Sequence, residues 1–296
     1  MGIKNFFPLI GNGIPITLDY LKNRTIGLDM SFVLYMLSLS MKNTNSLSDK
    51  NGTSTVMLFQ LLNYLINLKK RDINIVVIYD NPSCNTLKIN EIKKRCESKQ
   101  KIIEKKITSN KPIDKVSFKI TKEIIEESIF ILENLGIEYC VSPKDIEAEK
   151  LGAYLLEIKK IDYLITNDSD SLTFGSSNII RQQKINNKKT YSLYNLDQIL
   201  KNLNINYFDF VKISVILGSD FCEKTKGIGI KTVLKKYNNI ELTEEQKLAY
   251  NYFISKVSFD LKDIVKPNKN IPAIIEYIRS KNFDINLWSN KLGVFN

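Results

Sequence analysis

The sequence predicts an α/β protein: a mostly parallel central sheet flanked by helices, followed by a region of helices only. Three observations carry this reading. Short apolar, β-branched runs alternate with segments of helical periodicity between residue 25 and about residue 166. Those runs are apolar at consecutive positions, the texture of strands covered on both faces. After Tyr194 the pattern turns purely helical, at 196–203, 207–217, 232–237, 243–257 and 271–280.

Taken in order, TIGLD at 25–29 reads as a strand, followed by a helix through Met41 and a loop rich in Asn, Ser, Thr, Asp and Gly over 43–54. Helical spacing resumes at 56–70. INIVVIYD at 73–80 is the next strand, broken by Asn81-Pro82-Ser83. Two lysine-rich helices follow, at 88–107 and 116–135, joined by a polar link containing Pro112 and ended by Gly136. Residues 137–141 form a strand, 147–160 a helix, and YLIT at 163–166 a further strand. The expected organisation is one domain over 1–296, with a helical insertion at 84–130 and a helical region at 206–296.

A chain of 296 residues with 43% hydrophobic content can fill a core. Its net charge of +11 favours polyanionic partners, and the distribution says more than the total. Between Lys88 and Lys122 stand twelve Lys/Arg against four Asp/Glu, and Lys224–Tyr237 holds five lysines and no acid. Basic charge gathered in blocks reads as a binding footprint; solvated faces of a lysine-rich protein are the plainer alternative. With no histidine, imidazole bases and His-ligated zinc are excluded. Cys84, Cys96, Cys140 and Cys222 lack C-x-x-C spacing, so neither a zinc site nor a disulfide framework is indicated. No signal peptide and no apolar run of membrane-spanning length is present, so a soluble protein of a reducing, intracellular compartment is expected, without membrane association.

In open parallel sheets, ligands bind beyond the carboxyl ends of the strands. Asp29 ends TIGLD, Asp80 ends INIVVIYD, and Asp168 and Asp170 follow YLIT. Glu147 and Glu149 open the helix after another strand, and Asp220 in LGSDF closes a later helix. Acids crowded into one cleft repel one another unless cations lie between them. All-oxygen ligation suits Mg²⁺ or Mn²⁺, and two such ions ~4 Å apart serve in-line phosphodiester displacement. Singly, each acid is more often a turn former or helix cap: Asp170 can cap a turn, and Asp145 the helix carrying Glu147 and Glu149. Those two glutamates are also i,i+2, which points them apart on a regular helix. They share a site only if one stands in an irregular first turn, or if each serves a different metal.

These residues resemble the flap endonucleases and related structure-specific 5′ nucleases. MGIKNFFPLI is similar to the family's opening, and GLDMSFVLY to its strand-end Asp followed by a small residue and a Tyr. Asp80 stands where the family has its F-D-G aspartate, here followed by Asn81-Pro82. IEAEKLGAYL resembles the E-A-E-A block, TNDSDSLTFGS resembles T-x-D-x-D-x-L-x-F-G, and Glu149 precedes Asp168 by the 19 residues the pattern requires. LGSDFCEKTKGIGIKTVLKKY is similar to the helix–two-turn–helix, here about 212–237. The motifs run from residue 1 to about 237.

The resemblance implies a PIN-like 5′ nuclease core, and metal-associated acids at Asp29, Asp80, Glu147, Glu149, Asp168, Asp170 and Asp220. It implies a helical arch, within 84–130, whose first helix presents Lys88 and Arg95 as catalytic cations over the scissile phosphate, where two solvated helix residues are the plainer reading. DNA contacts fall on Gly2, Tyr35, Lys93, Lys94, Gly227, Gly229, Lys231 and Lys235. Tyr35 would stack on a base, or else be a buried helix tyrosine. The glycines would let backbone N–H groups approach a phosphate, where a tight turn is the plainer reading. Two Mg²⁺ ions per site are implied, with Mn²⁺ able to substitute. A K⁺ ion at the helix–two-turn–helix is set against Lys224, which stands where the family commonly has a hydroxyl and can place its own ammonium there. The C-terminal NLWSNKLGVFN lacks the sliding-clamp motif, and no polybasic tail follows it. Compactness resembles members encoded by large DNA viruses, which points to the nucleus or a viral replication site. The expected activity is 5′-flap endonuclease with 5′–3′ exonuclease action on branched DNA at single-strand/double-strand junctions, in replication, repair or recombination. Junction resolution, a PIN-like ribonuclease and a catalytically inactive DNA-binding scaffold are the alternatives.

Overall fold

The computed structural model describes residues 3, 6–39, 56–83, 85–108, 120–185, 188–281 and 285–295. In chain order the elements are α1 (Phe6–Ile10), β1 (Ile14–Ile16), β2 (Thr25–Asp29), α2 (Met30–Leu39), α3 (Val56–Lys69), β3 (Asn74–Tyr79), α4 (Ile89–Thr108), α5 (Lys122–Leu135), β4 (Glu138–Val141), α6 (Ala148–Glu157), β5 (Tyr163–Ile165) and α7 (Asp170–Thr173). Then come β6 (Asn178–Ile185), β7 (Lys188–Asn195), α8 (Leu196–Leu203), α9 (Tyr207–Leu217), α10 (Ile230–Lys236), α11 (Glu244–Ile254), α12 (Ile271–Ser280) and α13 (Ile285–Leu292). Among the described residues no helix is long and apolar enough to cross a membrane.

The chain divides into two compact units, one of Met1–Thr17, Asp80–Gln100 and Ser142–Phe259, the other of Leu18–Tyr79, Lys101–Val141 and Asp260–Asn296. In the second unit β2, β3 and β4 pair in parallel, with Asp29 opposite Ile78 and Val76 opposite Glu138. Ile26, Leu28, Val76, Val77 and Ile78 are all buried, which explains the uninterrupted apolar runs. Thr121 caps α5 through its side chain, and Gly136 ends that helix in the left-handed conformation at φ +68°. Trp288 of α13 is fully buried and meets Phe59 of α3 edge-on, ring centroids 5.4 Å apart. The N-terminal part of the second predicted lysine-rich helix, 116–119, lies outside the described residues.

The first unit orders its strands β1-β7-β6-β5, with β5 and β6 parallel and the other pairs antiparallel. The β6–β7 hairpin and β1 have no counterpart in the sequence reading. Polar residues from Arg181 to Lys184 and from Lys188 to Thr190 interrupt the apolar run that marks the other strands. Asn167 extends the β5–β6 pairing with its side chain: its Nδ2 donates to the Gln182 carbonyl at 2.7 Å, and Gln182 N donates to its Oδ1 at 3.0 Å. The helical part packs Ala153, Phe174, Val211, Val215, Phe221, Cys222, Ala249 and Phe253 into one core. Gly218 ends α9 at φ +84°, and a Cβ there would lie 2.7 Å from the Lys224 backbone nitrogen, so only glycine fits this turn. Gln246, in a capping box with Thr243, donates from Nε2 to the Glu223 carbonyl and the Thr225 hydroxyl, fastening the following loop to α11.

Candidate active site

The acids of the first unit are positioned by backbone donors at the start of α6. Asn81 fixes the turn after Asp80, its N donating to Ser142 Oγ and its Nδ2 to the Ser142 carbonyl, each at 3.0 Å. Asp80 Oδ1 in turn accepts from Ala148 N at 2.9 Å. Asp80, not Asp145, therefore meets the first free amide of α6. Glu147 is the N-cap residue, with extended backbone at φ −74° and ψ 151°, and Glu149 lies in the first turn. This resolves the i,i+2 difficulty: with Glu147 outside the helix, ligand oxygens of Asp80, Glu147 and Glu149 all lie within 4.8 Å of one another. The positive end of the helix dipole faces them.

Asp168 and Asp170 follow β5 and are 5% and 2% exposed. Asp168 Oδ1 accepts from Asp170 N at 3.0 Å, so it is Asp168 that holds the opening of α7. Both carboxylate oxygens of Asp170 are buried without a hydrogen-bond partner. Burial first, then the charges of Asp168 and Asp220, push the Asp170 carboxyl well above the usual range; burial and Asp220 raise Asp168 as well. A cap or turn role would give Asp170 a partner. An unpaired buried carboxylate instead calls for a cation, which is the fit expected of a metal ligand.

Lys88 reaches across the unit's acids. Its Nζ is 2.5 Å from Glu147 Oε2, 3.9 Å from Asp220 Oδ2 and 4.7 Å from the centre of the Phe221 ring. Burial lowers its pKa, but Glu147, Glu149 and Asp220 more than reverse this, and the net shift is upward. Arg95, two turns along α4, places a guanidinium nitrogen 2.6 Å from Asp220 Oδ1 and its Nε 2.9 Å from Glu91. Burial raises the Glu147 carboxyl and Lys88 opposes it.

Asp29 belongs to the other unit, at the end of β2; it is buried, and its Oδ1 accepts from Phe32 N at 3.0 Å as α2 begins. Tyr35 on α2 is 45% exposed. On α4, Lys93 is exposed and Lys94 pairs with Glu223. Gly227 takes φ +75°, Gly229 caps α10 in extended conformation, and a Cβ on either meets nothing within 4 Å. Lys224, Lys231 and Lys235 are exposed. Gly2 lies outside the described residues, while Ile3 N donates to Ser169 Oγ at 2.8 Å, between the two aspartates. The sequence reading missed Glu91 and Glu223, which hold Arg95 and Lys94, and also Asn85 and Tyr252. Asn before a helical stretch is a cap signal that could have exposed Asn85; nothing local marks Tyr252.

Comparison with known proteins bears on the family and the fold. Residues 1–102 match the XPG N-terminal domain and residues 136–220 the XPG I-region. Flap endonuclease 1 of Plasmodium knowlesi (strain H) is 29% identical over 274 residues, covering 81% of this chain and 46% of that protein. The chain thus spans less than half the length of that relative. The catalytic core of Rad2 in complex with DNA substrate superposes with a TM-score of 0.77 at 20% identity, covering 100% of both chains. Flap endonuclease-1 from Methanococcus jannaschii gives 0.76 at 17% identity, covering 98% of this chain and 97% of that one. These two structures share its PIN-like 5′ nuclease fold, a mixed, mostly parallel sheet with flanking helices. By its matched domains and its fold, the chain belongs to the flap endonuclease/XPG family of 5′ nucleases.

Proposed function

We propose that the chain is a Mg²⁺-dependent, structure-specific DNA nuclease that cuts a phosphodiester near single-strand/double-strand junctions, 5′ flaps foremost. The observation that carries this reading is the convergence of Asp80, Glu147 and Glu149 within 4.8 Å, with Lys88 bonded to the same cluster. Asp80, Glu147 and Glu149 would hold one divalent ion, and Asp168, Asp170 and Asp220 a second. Mn²⁺ would substitute, since the donor set is all oxygen. When bound, such ions supply Lewis acidity, lowering the pKa of water and offsetting charge on the leaving oxygen.

The chain's own residues do the rest. Lys88, held charged by its carboxylate neighbours, and Arg95 turn toward the scissile phosphate and stabilise the charge that grows on it. In this reading α4 stands over that phosphate as the first helix of the arch, with Lys93 and Lys94 attracting the strand. Tyr35 presents a ring for base stacking. Gly227 and Gly229 leave open space beside backbone amides, and Lys231 and Lys235 add charge for duplex phosphates, so recognition rests on DNA shape and not on base edges. The exposed Lys224 stands in for a K⁺ ion.

The test is a panel of 5′-labelled flap, nicked, bubble and four-way-junction DNAs incubated with Mg²⁺, with the cut position mapped. Cleavage at the flap junction that vanishes in Asp168→Ala supports the reading. Full activity in that variant would sink it.

A further inference from the structure

We propose that Tyr252 is a positioning residue: its hydroxyl ties the turn that carries Lys88 to the loop that carries Glu147, and so sets the distance between this cation and this acid. The inference rests on the function proposed above for Lys88 and Glu147. A tyrosine hydroxyl has one proton to donate and two lone pairs to accept with. All three are used here. The hydroxyl donates to the Asp145 carbonyl at 2.9 Å and accepts from Asn85 Nδ2 at 3.0 Å and from the Glu147 backbone N–H at 3.3 Å.

Both ends of this bridge are fastened. Asn85 caps the short helical turn Thr86–Lys88, its Oδ1 accepting from Leu87 N at 3.0 Å, while its second amide proton goes to the Asp145 carbonyl at 3.0 Å. Thr86 N reaches Asp145 Oδ1 at 3.3 Å. Asp145 itself stands at φ +61°, a conformation a non-glycine residue keeps only where its surroundings hold it. From there two residues lead to Glu147, whose Oε2 is 2.5 Å from Lys88 Nζ. The circuit Asn85–Lys88–Glu147–Asp145 therefore closes on the Tyr252 hydroxyl.

The ring is held by other means, so the hydroxyl can be removed alone. Its neighbours are Phe221 at 4.9 Å and Phe174 at 5.7 Å between ring centroids, with Lys150 Nζ 4.0 Å over the ring face. Lys150 also donates to the Tyr252 carbonyl and to Ser255 Oγ. Tyr252→Phe keeps this packing and deletes three hydrogen bonds at one point.

The experiment measures flap cleavage in Mg²⁺ and amide hydrogen exchange in wild type, Tyr252→Phe, Asn85→Ala, and Tyr252→Phe on a Lys88→Met background. Loss of an outer-shell contact of this kind lowers activity by ~10- to 100-fold. In Tyr252→Phe, kcat is expected to fall by about that factor with KM within about twofold, and exchange to quicken in both 85–89 and 145–148. On the Lys88→Met background the same change should move kcat less than about twofold, because the two act as one unit. Asn85→Ala should quicken exchange in the same two segments. An equal kcat loss with and without Lys88, or unchanged exchange in either segment, overturns the proposal. If wild type cuts none of the substrates, the proposed function fails, and exchange in Tyr252→Phe still decides whether the hydroxyl joins the two segments.

Discussion

Lys88 Nζ lies 2.5 Å from Glu147 Oε2, close enough for the ammonium and the carboxylate to govern one another's protonation. Burial raises the Glu147 carboxyl, and the Lys88 charge is what chiefly opposes that rise. Replacing Lys88 with Met removes the opposition, so the Glu147 pKa moves further up. Carbon-detected NMR titration of labelled glutamates in the metal-free protein should show this rise, with Asp80 and Glu149 still able to bind metal. Cleavage in Lys88→Met should fall by ~10²- to 10³-fold, the loss typical of a donor aimed at transition-state charge.

Arg95 offers a separable test. Its guanidinium is half-buried and meets Asp220 at 2.6 Å and Glu91 at 2.9 Å, whereas Lys88 reaches Glu147. Arg95→Lys keeps charge but loses the planar fork, so it should recover only a part of the activity that Arg95→Ala loses. Single-turnover rates at saturating DNA, compared across wild type, Arg95→Lys and Arg95→Ala, check the order. Equal rates in the two variants would assign Arg95 a geometric role with no value in its charge.

Asp170 predicts a gain of stability from a loss of function. Both its oxygens are buried without partners, and its folded pKa stands well above the unfolded one. A carboxyl raised on folding binds its proton more tightly in the native state, so the contribution of Asp170 to metal-free stability is greatest below the unfolded pKa, ~4, and is lost as pH rises through the folded pKa. Asp170→Asn removes the buried charge. At neutral pH and without metal it should raise the melting temperature by a few degrees, ~2–4 °C for each ~1 kcal/mol, while abolishing cleavage. Adding Mg²⁺ should stabilise wild type by mass action and the Asn variant less. Calorimetry at pH 5 and pH 8, with and without Mg²⁺, reads all three arms.

The acids were legible in the sequence because strand ends carry them. TIGLD, INIVVIYD and YLIT are apolar enough to mark strands, and the acids that end the first two and follow the third stand out. What the pattern left open was the joint use of Glu147 and Glu149, which turned on one backbone conformation, the extended N-cap at Glu147. The β6–β7 hairpin stayed hidden because Gln182, Gln183 and Lys184 break its apolar run. Tyr252 was beyond reach for another reason. Its partners Asn85 and Asp145 stand 167 and 107 residues away, and no local spacing encodes a contact made by folding.

Gly227 and Gly229 look alike in the sequence but differ in the structure, and that difference separates folding from recognition. Gly227 stands at φ +75°, so Gly227→Ala forces a side-chain residue into the left-handed region and should destabilise by ~1 kcal/mol. Gly229 has an ordinary extended backbone and open space where a Cβ would go. Gly229→Ala should therefore melt with wild type. If the amides of this turn approach a DNA phosphate, the added methyl stands in the way, and duplex affinity should drop by about tenfold, ~1.4 kcal/mol. Lys231→Ala and Lys235→Ala should instead each lower the slope of log affinity against log salt by ~1. Binding isotherms at several salt concentrations distinguish the two effects. A Gly229→Ala variant with wild-type stability and wild-type affinity would remove this turn from the DNA interface.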